Sequence, residues 1–267
     1  MANGFIFMRS IFALLTLNMT KMKSVLITGA NKSIGFESAR QLLQKGYYVY
    51  LGSRNLENGL EAVDILKAEG LTNVEVIQID VTNQQSVDSA RVAIGKRTDV
   101  LDVLINNAGV YGVNPQNALN ATIDNFKNVY DTNVYGVVRT TQAFIDLLRH
   151  AHEPRIVNVS SSVGSLSLQS DTGWQFHDFA KFAVYASSKS ALNMYTITLA
   201  YELRDTAFKV NAVDPGYTKT DFNFHQGTGT VEEAASRVVK YALIDHNGPT
   251  GKYFSEETNP ETGEIPW

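Results

Sequence analysis

Short apolar segments alternate with longer amphipathic segments along almost the whole chain, and this alternation limits the fold more than any other feature. From Ser24 onward, runs rich in Val, Ile, Leu and Tyr are bounded by Gly, Asn or Pro. Continuous apolar strands that alternate with helices are typical of a parallel sheet covered on both faces. The pattern therefore predicts an α/β fold, a doubly wound sheet of about seven mainly parallel strands with helices on both faces, in a single domain.

The individual elements follow from periodicity and from their boundary residues. Strands are predicted at 24–28, 48–53, 74–80, 101–106, 155–160, 209–214 and 251–254. Helices are predicted at 34–45, 56–69, 82–97, 122–149, 182–203 and 230–244. Thr82 with Gln85, and Thr230 with Glu233, have the spacing of a capping box. Ligands of such sheets bind beyond the carboxyl ends of the strands, so the functional residues are expected there.

One domain is predicted over residues 23–267, because no repeat or break in composition interrupts the alternation. Residues 1–22 are predicted to be an N-terminal extension. A signal peptide and a surface amphipathic anchor are alternatives for the apolar residues near Phe7 and Leu14. The absence of a small-x-small cleavage pattern disfavours the signal peptide, and an upstream start before Met19 or Met22 is the preferred interpretation.

Composition excludes several classes of function. The chain has no cysteine, so thiolate metal sites and a cysteine nucleophile are impossible, and a reducing cytoplasmic location is expected. The net charge of −4 provides no basic field for nucleic acid. No apolar run approaches the roughly 20 residues that span a bilayer. The five histidines lack ligand spacing, so no metal is predicted.

The turn after the first predicted strand has the residues of a phosphate-binding loop. Gly29 permits a tight turn with positive φ, and Gly35 permits close packing of the following helix on the strand. The free amides and the dipole at the start of that helix attract a pyrophosphate. An ordinary strand-to-helix turn is the alternative interpretation of the same residues.

A tyrosine and a lysine four residues apart occur on a predicted helix. Tyr185 and Lys189 share one helical face, so the phenol and the ammonium point into the same cleft. A nearby ammonium favours the phenolate and lowers the tyrosine pKa, which suits the phenol for proton transfer to a carbonyl oxygen. Such a pair also occurs by chance on helix surfaces, so its meaning depends on the motifs around it.

These motifs together resemble the short-chain dehydrogenases/reductases over about residues 24–254. Thr28 to Gly35 is similar to the cofactor loop TGxxxGxG, with Ser33 at the middle glycine. Residues 106–109 match the NNAG segment, 158–161 match NVSS, and 215–220 resemble PGxVxT with Thr218 in place of valine. The resemblance implies the Rossmann fold and a nicotinamide cofactor. Ser33 could alter the backbone approach to the pyrophosphate or donate its hydroxyl to a phosphate.

The resemblance also implies residue roles. Tyr185 is the proton donor, Lys189 assists it and binds the nicotinamide ribose, Ser161 holds the substrate oxygen, and Asn133 holds a water in a proton relay. Asp80 accepts a hydrogen bond from the adenine amine. The alternative is that Asp80 caps the next helix, and both roles can hold at once. The cofactor set implied in full is Gly29, Asn31, Lys32, Ser33, Ile34, Gly35, Arg54, Asp80, Val81, Asn107, Ala108, Gly109, Tyr185, Lys189, Pro215, Gly216, Thr218 and Thr220.

The end of the second strand indicates which nicotinamide cofactor is used. NAD-specific sites usually place a carboxylate there, whereas this chain has Ser53 and Arg54. The planar guanidinium of Arg54 can pair with a 2′-phosphate, and Lys32 and the Ser53 hydroxyl can add donors. By resemblance the cofactor is NADP(H). The alternative is that both cations are solvated surface residues.

The substrate side is predicted from loops 163–182 and 217–230. Tyr185 follows Ser161 by 24 positions, a wider spacing than is common in the family, and carbonyl reductases of the family carry an insertion there. The insertion is expected to wall the cleft and to favour a monomer or a dimer. An apolar pocket, or alternatively a set of core-anchored loop residues, is predicted from Tyr111, Trp174, Tyr217, Phe222 and Phe224. Gly227 and Gly229 are candidate hinges of a lid.

The predicted function is NADPH-dependent reduction of a small-molecule ketone or aldehyde to an alcohol. One alternative is an alcohol dehydrogenase that works in the oxidative direction. A second is an NADP(H)-binding regulator without turnover, although such proteins often lose the tyrosine or the lysine. A sugar-nucleotide epimerase shares the tyrosine–lysine pair but has a different glycine spacing.

Overall fold

The fold is a seven-stranded parallel sheet with helices on both faces, as the alternation of segments predicts. A computed structural model describes residues 22–223 and 225–267, so residues 1–21 of the predicted extension lie outside the described part. The strands are β1 Ser24–Ile27, β2 Tyr48–Ser53, β3 Val74–Gln78, β4 Val103–Asn106, β5 Arg155–Val159, β6 Lys209–Val213 and β7 Tyr253–Phe254. The α-helices are α1 Ser33–Gln44, α2 Leu56–Ala68, α3 Gln84–Gly95, α4 Ile123–Tyr130, α5 Gly136–Arg149, α6 Leu166–Ser170, α7 Ala183–Glu202 and α8 Val231–Ala242.

The strand order is β3-β2-β1-β4-β5-β6-β7, and every neighbouring pair is parallel. The chain therefore builds outward from β1 to β3 and then returns to the other side of β1 with β4. This reversal leaves a crevice between the carboxyl ends of β1 and β4. Ligand-binding residues on any of these strand ends consequently face one edge of the sheet.

Both faces of the sheet are buried, which explains the continuous apolar strands. Val25 and Ile27 of β1 pack in a core with residues of α1, α2 and α8. Leu26, between them, packs in a second core with residues of α3, α5 and α7. Because successive side chains of a strand point to opposite faces, each strand needs apolar residues at every position.

Two predicted helix boundaries have different outcomes. The capping box at Thr230 is confirmed, because Glu233 N–H donates to the Thr230 hydroxyl and Thr230 N–H to the Glu233 carboxylate. The capping box at Thr82 is wrong. Asn83 caps α3 instead, accepting from Ser86 N–H at 3.0 Å, while the Thr82 hydroxyl donates to Asp80 at 2.7 Å. A nearby aspartate therefore diverts the hydroxyl from the capping position.

The predicted helix over 122–149 is interrupted at its centre. Residues Asp131–Tyr135 form a single π-helical turn between α4 and α5. Such turns occur frequently at functional sites, because the extra residue shifts the helical register of the side chains within the turn. Asn133 lies in this turn and is fully buried.

A chain of buried amides and hydroxyls joins the central strands to the helices below them. Asn106 Nδ2 donates to Asn158 Oδ1 at 2.9 Å, and Asn158 Nδ2 donates to Thr196 Oγ1 at 2.9 Å. Asn106 Nδ2 also contacts Thr141 Oγ1 at 3.2 Å. These bonds link β4 to β5, β5 to α7, and β4 to α5, directly beneath the strand ends.

Replacing Asn158 with alanine should lower the free energy of unfolding by about 1–3 kcal/mol, because it leaves buried polar partners without a hydrogen bond. Urea unfolding followed by circular dichroism measures this change. Thr198→Ala is the matched control, because Thr198 is exposed on α7 and donates only to the Met194 carbonyl of its own helix. Equal midpoints for the two variants would contradict a stabilising role of the amide chain.

Candidate active site

The turn after β1 is shaped for close approach of a ligand to the main chain. Gly29 has φ of 63°, and a Cβ at this position would lie 3.0 Å from Ala108 Cα. A Cβ on Gly35 would lie 2.5 Å from Asn107 Nδ2 and 2.7 Å from the Gly29 carbonyl oxygen. A methyl group at either glycine would therefore push the turns after β1 and β4 apart.

Ser33 adopts a backbone conformation that favours glycine. Its φ is 53°, in the left-handed region, which costs a residue with a Cβ about 1–2 kcal/mol. This accounts for the glycine that related loops carry at this position. Lys32 at the N-cap of α1 makes no side-chain capping hydrogen bond. Asn31 lies just before the start of α1 and Ile34 just inside it. The free amides at this helix start can donate hydrogen bonds to a pyrophosphate.

The segment after β4 is tied to this turn. Asn107 Nδ2 donates to the carbonyl oxygens of Thr28 and Gly29 at 2.9 and 3.0 Å. The main-chain N–H groups of Asn107 and Ala108 donate to the Thr28 hydroxyl at 3.1 and 3.0 Å. A Cβ on Gly109 would lie 3.7 Å from Lys189 Nζ, so this glycine borders the predicted catalytic lysine.

The residues predicted to bind a 2′-phosphate are in different situations. Arg54 lies exposed directly after β2. The Ser53 hydroxyl donates to the Asn55 carbonyl at 2.7 Å, so this donor is already occupied. Lys32 Nζ pairs with Asp221 at 2.9 Å, on the loop after β6. The side chains of Ser53 and Lys32 thus already have partners, and binding of a 2′-phosphate by Arg54 stays a prediction.

The end of β3 holds Asp80 in a defined position. Its Oδ1 accepts from the amide and the hydroxyl of Thr82, and its own N–H donates to the Ser86 hydroxyl at 2.9 Å. Val81 is buried, and its carbonyl accepts from Arg139 at 3.2 Å. Asp80 is thus tied to Thr82 and to Ser86 in the first turn of α3, but Asn83 is the residue that caps this helix. The alternative that Asp80 caps the helix is therefore wrong, and adenine binding stays a prediction.

The loop after β6 is braced from two sides. Gly216 has φ of 88°, and its N–H donates to Asp214 at 3.0 Å. The Pro215 carbonyl accepts from Arg237 at 2.7 Å. Thr218 and Thr220 are buried, and the Thr218 hydroxyl donates to the Gly216 carbonyl at 3.0 Å.

Gly227 and Gly229, the predicted hinges of a lid, are both held against the backbone of Thr218. A Cβ on Gly227 would lie 2.1 Å from the Thr218 carbonyl carbon, so Gly227 is packed directly on that backbone. Gly229 is bridged to Thr218 as well. Close packing therefore explains the glycine at 227 without a hinge.

Tyr185 lies at the third position of α7, and its phenol lies close enough to the Ser161 side chain after β5 for that side chain to affect its pKa. Desolvation raises the pKa of Tyr185 well above its usual range, and the charge of Asp214 adds to this increase. The Ser161 side chain opposes the shift. The expectation of a lowered tyrosine pKa is therefore wrong for this structure, because loss of water around the phenol dominates. A neutral phenol is the form that donates a proton.

Lys189 lies one helical turn after Tyr185 and is 4% exposed. Its ammonium donates to the Val159 carbonyl at 2.8 Å and lies 5.7 Å from the centre of the Tyr185 ring. Burial lowers the pKa of Lys189 to about 8, and the Asp214 carboxylate opposes this decrease. The pKa of Lys189 thus lies much closer to neutral pH than that of a solvent-exposed lysine.

Asp214 was not assigned a role from the sequence, although its charge acts on both residues. It is 3% exposed at the end of β6, and its carboxylate accepts from the Ser255 hydroxyl at 2.7 Å. A buried carboxylate keeps its influence over several ångströms because little water screens it. Its position directly before Pro215 and Gly216, at a strand end, was the available sequence signal.

The π-helical turn directs Asn133 to the segment after β4 and to α7. Its Oδ1 accepts from Val110 N–H at 2.8 Å, and its Nδ2 donates to the Val110 carbonyl at 2.9 Å and to the Ser188 hydroxyl at 3.1 Å. Ser188 in turn donates to the Tyr185 carbonyl at 2.7 Å. Asn133 therefore connects the cofactor-side loop to the helix that carries the tyrosine.

The strand end at Ser161 is held by side chains that the sequence did not single out. The Tyr253 hydroxyl donates to the Ser161 carbonyl. The neighbouring Ser160 hydroxyl donates to Asn193 Oδ1 at 2.7 Å, and Ser160 is buried. These contacts leave the Ser161 side chain, rather than that of Ser160, beside the Tyr185 phenol.

Aromatic rings gather around the phenol. Tyr111 and Phe222 lie with ring centres 5.6 and 5.5 Å from that of Tyr185, and 6.1 Å from each other. Tyr217 lies close enough to raise the pKa of Tyr111 and is 43% exposed. Trp174 is buried with its ring 5.6 Å from Phe176, apart from this group. Phe224 lies outside the described residues.

Within residues 22–223 and 225–267, no helix is long and apolar enough to cross a membrane. In the same residues, no group of three or more His, Asp or Glu side chains is arranged to hold a metal ion.

The turn after β1 (residues 28–35) and the segment after β4 (residues 107–109) together form a cradle whose geometry suits a dinucleotide. The glycines that a Cβ would obstruct, the uncapped start of α1 and Gly109 beside Lys189 all lie at the crevice between β1 and β4. The phosphates and ribose of a bound dinucleotide require this combination of close main-chain approach, free amides and a cation.

Comparisons with known proteins agree with this geometry. The short chain dehydrogenase family matches residues 23–229. (-)-Isopiperitenone reductase of Mentha piperita is 36% identical over 306 aligned positions, which cover 87% of this chain and 96% of that protein. (+)-Neomenthol dehydrogenase of Arabidopsis thaliana is 36% identical, with 86% and 95% covered.

Solved structures give the same result. NADPH-bound carbonyl reductase from chicken fatty liver superposes with a TM-score of 0.78 at 28% identity, covering 92% of this chain and all of that chain. Salutaridine reductase from Papaver somniferum has a TM-score of 0.77 at 31% identity, with 87% and 99% covered. The cradle, the tyrosine–lysine helix and these matches establish that the chain belongs to the short chain dehydrogenase family.

Proposed function

We propose that this enzyme reduces a ketone or aldehyde to an alcohol with NADPH as the hydride donor. The observation that carries the proposal is the position of the Tyr185 phenol. It lies close to Ser161, one helical turn before the buried Lys189, whose ammonium borders Gly109 of the dinucleotide cradle. An NADPH-bound carbonyl reductase among the solved relatives, and a reductase among the sequence relatives, support the direction of the reaction.

The cofactor is NADP(H), whose nicotinamide ring supplies or accepts the hydride when it is bound. The amides of residues 33–35 would bind the pyrophosphate, and Arg54 the 2′-phosphate, with Lys32 as a second cation if it leaves Asp221. Asp80 and Val81 would border the adenine, and residues 107–109 the ribose. Pro215, Gly216, Thr218 and Thr220 would orient the carboxamide.

The residues of the chain perform the proton chemistry. Tyr185 donates its proton to the carbonyl oxygen as hydride reaches the carbonyl carbon, and Ser161 holds that oxygen by a hydrogen bond. Lys189 orients the ribose and stabilises the resulting phenolate. Asn133, which is bonded to Val110 and Ser188, would hold a water that links Lys189 to solvent and completes a proton relay. With its pKa raised, the Tyr185 phenol is protonated at neutral pH, which is the form that reduction requires.

The substrate is an apolar carbonyl compound. Tyr111 and Phe222 place aromatic faces within 6 Å of the Tyr185 ring centre, and Tyr217 adds a third ring at the rim. Loops 163–182 and 217–230 form the walls of the cleft, with Trp174 supporting the first loop from within. Rings of this kind bind flat or alicyclic molecules better than small charged ones.

Further properties are proposed on the sequence. The enzyme acts in the cytoplasm, in keeping with its lack of cysteine. Residues 1–22 form an extension to a single domain over 23–267. The insertion between β5 and α7 favours a monomer or a dimer, and a tetramer in analytical ultracentrifugation would contradict this.

Tyr185→Phe should lower kcat for carbonyl reduction by about 100- to 10,000-fold, because it removes the general acid. A panel of apolar ketones and aldehydes, followed by NADPH absorbance, measures the rate, and NADPH fluorescence measures cofactor binding, which should persist. Tyr201→Phe, exposed on the same helix, is the control. Turnover unaffected by Tyr185→Phe would reject the mechanism, and absence of turnover with persistent NADPH binding would favour a regulator.

Arg54→Ala should raise the KM for NADPH by about 10- to 100-fold, because a hydrogen bond to a charged phosphate contributes roughly 1.5–3 kcal/mol. The KM for NADH should change little, since NADH has no 2′-phosphate. Lys96→Ala, an exposed cation after α3, serves as the control. A preference for NADH in the unmodified enzyme would contradict the cofactor assignment.

The pH dependence should report Lys189. Its charged form predominates below its pKa of about 8, so kcat/KM for NADPH should fall as the pH rises through about 8. Tyr185, with its raised pKa, stays protonated over this range. Initial rates from about pH 6 to about pH 10 test this, and the decline should disappear from the residual activity of Lys189→Met. A profile that stays flat would show that the ammonium is not needed.

A further inference from the structure

Gln116 lies in the segment between β4 and α4 and makes contacts with two parts of the site. Its side chain is 3% exposed. The side-chain Nε2 donates to the Tyr111 carbonyl at 2.8 Å, and Oε1 accepts from the Tyr185 N–H at 3.0 Å. Its main-chain carbonyl accepts from the Ala183 N–H at 2.8 Å. One residue therefore joins the segment that carries Tyr111 to the start of the helix that carries Tyr185.

The start of α7 depends on this contact. The first amides of a helix have no partner within the helix and must bind elsewhere. Phe182 at the N-cap makes no side-chain capping hydrogen bond. Gln116 accepts from the first and the third residue of α7, Ala183 and Tyr185, from a separate segment of the chain. The proposed catalytic tyrosine is thus held through its own main-chain amide.

The same amide group also locates the aromatic cleft. Because Nε2 binds the Tyr111 carbonyl, the backbone of Tyr111 is held at a set distance from that of Tyr185. The two rings lie 5.6 Å apart between their centres, and Phe222 contacts both. A displacement of this segment would therefore change where a bound carbonyl lies relative to the phenol.

We propose that Gln116 is a positioning residue that fixes Tyr185 relative to the substrate-binding ring of Tyr111. The inference rests on the proposed reductase function, because it assigns Tyr185 as the proton donor. Gln116 touches neither reacting atom, so it acts through the backbone of Tyr185 and the backbone of Tyr111. Misplacement by a fraction of an ångström to one ångström is sufficient to slow a proton transfer strongly.

Gln116→Met keeps the size of the side chain and removes both of its amide contacts. We expect kcat to fall about 10- to 100-fold, with the KM for NADPH unchanged, because the cradle is untouched. Gln116→Glu keeps an oxygen that accepts from the Tyr185 amide, so its kcat should lie between those of the Met variant and the unmodified enzyme.

Asn125→Leu is the matched control. Asn125 is 4% exposed and braces the same segment through its side chain, accepting from Val113 N–H at 3.0 Å and donating to the Val113 carbonyl at 2.7 Å. It contacts neither Tyr111 nor Tyr185 through these bonds. It should lower the thermal midpoint as Gln116→Met does, while kcat stays closer to that of the unmodified enzyme.

Hydrogen exchange provides a readout that does not need turnover. The amide of Tyr185 should exchange faster in Gln116→Met than in Asn125→Leu, because only the former removes its acceptor. Unchanged exchange at Tyr185, or equal kcat for the Met and Asn125 variants, would overturn the inference. If Tyr185→Phe also turns over normally, the proposed function fails as well. If only Gln116→Met does, the function stands and the positioning role alone is lost.

Discussion

The contact between the turns after β1 and β4 is the constraint on which the site depends. Asn107 holds the carbonyls of Thr28 and Gly29, while Gly29 leaves no room for a Cβ against Ala108. Because the sheet reverses its strand order between these two strands, their ends would otherwise stand open. The clamp shapes the opening into a crevice, and every later strand then delivers its terminal residues to the same edge.

Desolvation determines the protonation states at this edge. Loss of water raises the pKa of Tyr185 and lowers that of Lys189, which leaves both groups closer to neutral than they would be in solvent. The buried carboxylate of Asp214 acts in the same direction on the tyrosine and opposes the change at the lysine. A protonated phenol beside a lysine with a pKa of about 8 is consistent with the proposed roles of proton donor and assisting cation.

The side chains of the proposed catalytic site are supported from several directions. Gln116 holds the amide of Tyr185, Tyr253 holds the carbonyl of Ser161, and Asn133 reaches α7 through Ser188. Gln116 and Tyr253 bind main-chain atoms directly, and Asn133 reaches the Tyr185 carbonyl through the Ser188 hydroxyl. The backbone of the site is therefore restrained as well as its side chains. This arrangement explains why distant elements, such as β7 and the segment after β4, contribute to the geometry of one phenol.

The sequence by itself determined the alternating elements, the glycine turn and the pair Tyr185 and Lys189, because these features depend on local periodicity and on spacing within one element. It predicted a 2′-phosphate site at Arg54 for a similar reason, from residues adjacent along one strand. Only the tertiary structure decided what depends on neighbours distant in sequence. The Thr82 hydroxyl donates to Asp80 instead of capping α3, and Lys32 pairs with Asp221. Trp174 packs on Phe176, and Gln116 is hydrogen-bonded to the start of α7. These contacts join segments that the sheet brings together. Burial raises the pKa of Tyr185, whereas the sequence predicted that the Lys189 ammonium one helical turn away would lower it.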